Sequence, residues 1–149
     1  MSLIISNSKD LVLDESLVTK LQSAYKNISF DEGLRDSSIN IRIVDDKEMI
    51  SLNKKFRNKN SSTNVLSFTN EDISSSHTGD LGDIAINYDF IKRESKEQSK
   101  TFDDHMIHML VHGIYHILGF DHKDDEMAES MEKKEIAILK KLNINNPYK

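Results

Sequence analysis

Apolar residues recur along the chain with two different periods, and the periods divide it into strands and helices. Ile39, Ile41 and Ile43 alternate with polar residues, which is the pattern of a strand that buries one face. Three other short apolar segments predict strands at residues 3–6, 65–68 and 83–87.

Apolar residues spaced three and four positions apart predict five helices. Asp14 is placed to cap the first, and Asp45 or Asp46 to cap the second, because a carboxylate at this point can accept the free N–H groups of the first turn. The first helix carries Leu17, Val18, Leu21 and Tyr25, and the second carries Met49, Ile50, Leu52 and Phe56. The other three are expected at residues 88–98, 102–118 and 124–142.

Polar stretches separate these elements. Residues 58–63 and 70–80 predict loops, and the second, which is rich in serine, is expected to be the most flexible segment. No repeat or proline-rich linker divides the 149 residues, so we expect one domain over residues 1–149. Four strands and five helices in this order indicate an α+β or a mixed α/β class.

Composition narrows the chemistry further. The absence of cysteine excludes disulfides, thiolate metal sites and cysteine nucleophiles, and leaves histidine and carboxylate as ligands. The net charge of −5 argues against broad, non-specific nucleic-acid binding, but it does not exclude a local basic cleft. No segment has the pattern of a secretory leader or a membrane span, so we expect a cytoplasmic protein without a membrane partner.

Three histidines have the spacing of ligands to one metal ion. His112 and His116 stand one turn apart on the same face of the helix predicted at residues 102–118. Gly119 favours the left-handed turn that ends a helix, and His122 follows that turn and can fold back to the pair. Three imidazoles leave a fourth tetrahedral position open, which is typical of catalytic zinc. We therefore predict one Zn²⁺ per chain, although other divalent metals such as nickel, cobalt or copper also suit imidazole.

Two more histidines lie on the same predicted helix. His108 and His116 are separated by about 12 Å along the helix axis, so one ion cannot bind both. We expect His105 and His108 to be structural or to support the ligands, and the sequence leaves these alternatives open.

The spacing H-x-x-x-H-x-x-G-x-x-H is that of the metzincin proteases, with one difference. Those enzymes carry a glutamate directly after the first histidine, where it serves as general base. This chain has Gly113, which cannot transfer a proton. A metallopeptidase therefore remains a hypothesis only if another carboxylate takes this role.

Three ordered segments resemble the YbeY-type endoribonucleases, which are bacterial rRNA maturation factors. HGIYHILGFDH at residues 112–122 is similar to the family pattern H-G-x-L-H-L-x-G-Y-D-H. LNKKFRNK at 52–59, followed by STNVLSF at 62–68, is similar to L-N-x-x-[YF]-R-x-K and T-[DN]-V-L-S-F-P, with Thr69 in place of the proline. LGDIAI at 81–86 is similar to the family's L-G-D-I-x-I strand.

This resemblance implies one α+β domain, with a small mixed four-stranded sheet packed with about five helices and the metal site on a central helix. It also implies a metal-dependent, single-strand-specific endoribonuclease that acts in rRNA processing and ribosome quality control. Its partners would be ribosomal RNA and ribosomal particles or assembly factors. The family's metal ligands map onto His112, His116 and His122, and its functionally important arginine maps onto Arg57.

Other residues suit the same chemistry. Phosphodiester cleavage adds negative charge in the transition state, and the planar fork of Arg57 can grip two phosphate oxygens. Lys59, in the same basic run, is a candidate RNA contact, although such runs are often solvated faces. Asp121 can orient a histidine through a hydrogen bond, accept a proton, or cap the turn.

One alternative to an enzyme is also open. With no glutamate at position 113, the chain can be a non-catalytic, ribosome-associated RNA-binding assembly factor in which the metal is structural. Cleavage of single-stranded RNA that is sensitive to a chelator and to Arg57→Ala distinguishes the two hypotheses.

Overall fold

Four strands and five helices make up the described part of the chain, which in this computed structural model comprises residues 2–8, 10–34, 37–69 and 80–149. Their order is β1 (Ser2–Asn7), α1 (Glu15–Glu32), β2 (Ser38–Val44), α2 (Asp46–Arg57), β3 (Val65–Thr69), β4 (Asp80–Asn87), α3 (Tyr88–Glu97), α4 (Phe102–Ile117) and α5 (Asp125–Lys141). This confirms the predicted α+β fold.

The strands form one mixed sheet in the order β1-β2-β4-β3. β1 and β4 flank β2 and run parallel to it, whereas β3 pairs with β4 antiparallel. The alternation predicted for β2 is confirmed, since Ile39, Ile41 and Ile43 are all buried in the core. β3 is an edge strand, so one of its sides is available to form the wall of a cleft.

Helices cover both faces of this sheet. α1, α4 and α5 contribute to the main core on one face, which includes Tyr25, Leu110, Tyr115 and Ile138. α2 lies on the opposite face, where Met49 packs with Phe68 and Ala85 in a smaller cluster. α4 is the most enclosed helix, because ten of its sixteen residues are buried. The helix that carries the predicted ligands is thus central in the fold. Among the described residues, no helix is long and apolar enough to span a bilayer.

The ends of the elements follow the predictions within a few residues. Of the two proposed caps for α2, Asp45 is the one whose side chain accepts the N–H of Glu48, at 2.8 Å. Asp14 occupies the N-cap position of α1, but its side chain makes no capping hydrogen bond. β4 begins at Asp80, three residues before the predicted start. The rest of the loop predicted at residues 70–80 lies outside the described residues.

Asp46 links four separate segments of the chain through hydrogen bonds. Its carboxylate accepts two hydrogen bonds from Arg93 on α3, at 2.8 and 3.0 Å. It also accepts hydrogen bonds from Ser62 and from Asn87, both at 2.8 Å. The hydrogen bond from Arg93 is the main reason that the pKa of Asp46 lies well below its ordinary value. Burial alone would raise this pKa, but its effect is smaller.

We expect Asp46→Ala to lower the free energy of unfolding by about 1–2 kcal/mol at pH 7, since a third of this side chain is exposed and solvent screens the pair. A group whose pKa is lowered by folding stabilises the protein above its unfolded pKa, and this contribution is lost as the pH falls towards the folded pKa. The difference between variant and parent should therefore shrink below about pH 4 in urea denaturation. Glu129→Ala, which removes a well exposed ion pair with Lys133, serves as control. An equal loss for Asp46→Ala at pH 7 and pH 3 would contradict the ionic origin of the effect.

Candidate metal centre

The three predicted ligands come together at the C-terminal end of α4. The Nε2 atoms of His112 and His116 are 3.1 Å apart, and one ring nitrogen from each of His112, His116 and His122 lies within 4.8 Å of the others. Tetrahedral Zn–N bonds of 2.0–2.1 Å place ligand nitrogens about 3.3 Å apart. The helical pair already has nearly this separation, so the donor set fits a zinc ion with a small inward movement of His122.

A helix-ending turn delivers His122 to the pair. Gly119 adopts φ +103°, a left-handed conformation that side chains rarely tolerate. The N–H of Phe120 donates to the carbonyl of Tyr115, and that of Gly119 to the carbonyl of His116, both at 3.0 Å. The rings of Phe120 and Tyr115 also contact each other, with centroids 5.5 Å apart. These contacts make a Schellman motif, which reverses the chain tightly enough to bring the third imidazole back.

The surroundings keep His116 suitable as a ligand. Burial lowers its pKa below the ordinary value, and the neighbouring rings of His112 and His122 act in the same direction. A histidine must be neutral to offer a lone pair to a metal. The environment therefore favours the protonation state that coordination requires.

Glu135 on α5 contacts one candidate ligand directly, and the sequence pattern did not predict this residue as part of the site. Its carboxylate oxygens both lie 3.3 Å from Nδ1 of His112. The residue is fully buried, and Oε1 also accepts hydrogen bonds from His108 at 2.9 Å and from the hydroxyl of Tyr148 at 2.8 Å. Burial alone would raise the pKa of Glu135, but the hydrogen bonds from the two histidines outweigh it and lower that pKa to about 2.

His105 and His108 each pair with a carboxylate of another helix. Nε2 of His105 lies 2.9 Å from the carboxylate of Glu94, and Nε2 of His108 lies 2.9 Å from that of Glu135. Both imidazoles are buried and paired with a carboxylate. His105 is therefore structural, whereas His108 shares its carboxylate with a candidate ligand.

Gly113 lies against the sheet. A Cβ atom there would be 3.1 Å from both Cδ1 of Ile84 and Oγ of Ser67, which is closer than ordinary packing allows. A side chain at the position of the metzincin glutamate would thus contact Ile84 on β4 and Ser67 on β3 more closely than usual. The structure gives a steric reason why α4 carries no general base at this point.

A cleft of about 640 Å³ opens beside the histidines. His112, His116 and His122 border it on one side, and the segment from the end of α2 through β3 borders it on the other. Its polar lining on that second side includes Asn53, Arg57, Lys59, Ser62, Asn64 and Ser67. Two segments that are far apart in the sequence therefore share one cavity.

Arg57 is held at the edge of β3. Its Nη2 donates to the carbonyl oxygen of Ser67 at 2.9 Å, and its Cζ lies 4.9 Å from the ring centroid of Phe68. Nη1 makes a longer hydrogen bond, 3.3 Å, to the carbonyl of Phe56. These contacts orient the guanidinium while leaving further N–H groups of its fork available to an anion.

Lys59 and Asp121 occupy turns beside the cleft. Asn58 caps the C-terminus of α2 in a left-handed conformation. The backbone N–H of Lys59 then donates to the carbonyl of Asn53, and Lys59 lines the cleft. Asp121 accepts a hydrogen bond from the backbone N–H of His122 at 2.7 Å, which lowers its pKa, and it pairs with Lys123 at 3.8 Å. In the described chain, Asp121 thus supports the turn that carries a ligand.

Known proteins resemble this chain in sequence and in fold. A family model described as Endoribonuclease YbeY matches residues 4–143. The endoribonuclease YbeY of Alteromonas mediterranea is 49% identical over 117 residues, which is 78% of this chain and 74% of the relative. That of Vesicomyosocius okutanii is 38% identical over 148 residues, 99% and 100% of the two chains. The solution structure of a Thermotoga maritima protein, 23% identical, superposes with a TM-score of 0.64 over 95% of this chain and 92% of that one, which supports the fold.

Proposed function

The chain belongs to the YbeY endoribonuclease family, and on that premise we propose that it is a metal-dependent, single-strand-specific endoribonuclease in rRNA processing and ribosome quality control. The whole of residues 1–149 forms its one catalytic domain, and it works in the cytoplasm with ribosomal RNA and ribosomal particles or assembly factors. The observation that carries the proposal is the shared cleft, which places Arg57 and three histidines around one cavity.

Each part of the cleft has a role in this proposal. His112, His116 and His122 hold a zinc ion, which when bound supplies a Lewis acid and lowers the pKa of water to about 7. Arg57 binds the phosphate through parallel N–H groups and stabilises the charge that develops during cleavage. Lys59 adds a second positive charge along the path of the RNA.

The same contacts explain how substrate is kept in place. Because the Ser67 carbonyl and the Phe68 ring fix the guanidinium of Arg57, little side-chain entropy is lost when phosphate binds. Ser67 in turn donates from Oγ to the carbonyl of Gly113 at 3.3 Å, which joins the arginine's support to the ligand helix. The phosphate-binding group and the metal centre thus share a rigid base.

Removal of the metal tests this function directly. Treatment with 1,10-phenanthroline or EDTA is expected to slow cleavage of a labelled single-stranded RNA by at least about 10²-fold, because both charge stabilisation and water activation are lost. Added Zn²⁺ should restore cleavage, and parallel additions of Mn²⁺, Co²⁺ and Ni²⁺ rank the metals.

A duplex of the same sequence is the control for strand specificity, and it should be cut much more slowly than the single strand. Undiminished cleavage after chelation, with zinc absent by elemental analysis, would overturn the metal-dependent mechanism. RNA that is bound but never cut under any metal would favour the non-catalytic assembly factor instead.

A further inference from the structure

A fully buried carboxylate lies behind the candidate metal centre, on the far side of His112 from His116. Both carboxylate oxygens of Glu135 lie 3.3 Å from Nδ1 of His112, while Nε2 of the same ring lies 3.1 Å from Nε2 of His116. The two ring nitrogens of His112 therefore have different partners. One contacts the carboxylate, and the other is in the position required of a ligand.

We propose that Glu135 is a positioning residue of the metal centre, which fixes His112 in the tautomer that offers Nε2 to the ion. This inference rests on the proposed function only in assuming that the three histidines bind metal. An ionised carboxylate can only accept hydrogen bonds, so Nδ1 of His112 must carry the proton and Nε2 keeps its lone pair. The same contact fixes the ring plane and increases the basicity of the donor nitrogen.

Two further donors hold the carboxylate itself. His108 and the hydroxyl of Tyr148 both donate to Oε1 of Glu135. A buried carboxylate is stable only when hydrogen bonds replace its lost hydration, and these contacts supply them. Nδ1 of His108 has no hydrogen-bond partner among the described residues, so this ring contacts the network through Nε2 alone.

Tyr148 connects this network to the end of the chain. Its backbone N–H donates to the side chain of Asn146 at 2.8 Å, and Lys100 donates to the carbonyl of Pro147 at 3.4 Å. These bonds hold residues 146–148 in place, and the phenol of Tyr148 contacts His108 on α4 and Glu135 on α5. We infer that the C-terminal segment helps to set the metal affinity, although it contributes no ligand.

The chain contains a matched control pair on the same helix. Nε2 of His105 lies 2.9 Å from a carboxylate oxygen of Glu94, the same distance that separates His108 from Glu135. Glu94 also accepts from Asn64, and none of its hydrogen bonds in the described chain involves the three candidate ligands. Glu94→Gln therefore perturbs a comparable His–carboxylate pair without contacting the metal centre.

Zinc dissociation constants, measured on the full chain by competition with a chromogenic chelator, test the proposal. We expect Glu135→Gln to weaken zinc binding by about 10- to 100-fold, and Glu94→Gln to leave it within about threefold of the parent. Tyr148→Phe should weaken binding in the same direction by a smaller factor. Equal effects of Glu135→Gln and Glu94→Gln, or none from Glu135→Gln, would overturn the positioning role. An unchanged affinity in Tyr148→Phe would overturn the link to the C-terminal segment.

A second measurement needs no variant and no metal. Histidine side-chain ¹⁵N–¹H correlation spectra of the metal-free parent, recorded at a pH where the ring of His112 is neutral, should show its proton on Nδ1, and a neutral ring protonated at Nε2 would overturn the proposal even if Glu135→Gln fails to fold. Zinc binding by the parent also distinguishes the metal centre from the role of Glu135. A parent that binds no zinc contradicts the metal centre, whereas a parent that binds zinc as tightly as Glu135→Gln contradicts only the role of Glu135.

Discussion

His116→Ala is expected to reduce cleavage of single-stranded RNA by roughly 10³-fold or more, together with loss of stoichiometric zinc. His116 is the best ligand to remove, because it contacts His112 directly yet has no hydrogen bond to Glu135 among those described for the chain. Its loss leaves two imidazoles, one of them on an exposed turn, which is too few for a stable zinc site. Single-turnover cleavage and elemental analysis of the same preparation measure both effects.

His105→Gln is the control for this result. It changes a histidine of the same helix whose ring pairs with Glu94, so zinc stoichiometry should be retained. Circular dichroism of the metal-free proteins separates misfolding from loss of the ion. A His116→Ala protein that keeps one zinc per chain and cleaves RNA at the parent rate would show that the three-histidine site is not the working centre.

Arg57→Ala should lower kcat by about 10²- to 10³-fold while zinc binding stays unchanged, since the guanidinium acts on the transition-state charge and not on the ion. Arg57→Lys should recover only part of the rate, because an ammonium group restores the charge but not the planar fork. Steady-state cleavage of a short single-stranded RNA, with zinc content measured in parallel, gives both quantities.

Lys55 provides the matched cation for comparison. It precedes Arg57 by two residues, but its Nζ lies 5.2 Å from the ring centroid of Phe56 and the residue does not line the cleft of the described structure. Lys55→Ala is therefore expected to change KM slightly and kcat little. If Lys55→Ala and Arg57→Ala had equal effects, the role of Arg57 would reduce to general attraction of RNA.

Local sequence patterns predicted the elements because each pattern has a local physical cause. The isoleucines of β2 alternate because one sheet face is buried, and Thr101 and Asp124 cap helices because their side chains accept N–H groups in the first turn. The start of β4 was predicted too late, since Asp80 and Gly82 are unfavourable strand residues. Gly82 lies close to the backbone of Phe68, and this contact between two strands leaves no signal in the local pattern.

In the candidate site, too, residues that are close in the sequence were predicted and a distant one was not. His112, His116 and His122 are close in the sequence, so helix geometry and a glycine turn were enough to predict that they form one cluster. Glu135 was missed because it stands beside Lys133 and Lys134 in a charged run that resembles a solvated surface. One signal was present: Glu135 is four residues after Met131 and three before Ile138, and both are buried. A carboxylate on the apolar stripe of a helix must find donors in the interior.

The close packing of Gly113 has an evolutionary consequence. The histidine spacing of this chain is that of the metzincin peptidases, and Gly113 stands where their pattern has glutamate. Because a Cβ at position 113 would lie 3.1 Å from Cδ1 of Ile84 and from Oγ of Ser67, a glutamate there would displace these two side chains by a few tenths of an ångström. A route from one chemistry to the other would therefore need compensating changes at Ile84 and Ser67 as well as the new carboxylate, although the three histidines have the same spacing in both patterns.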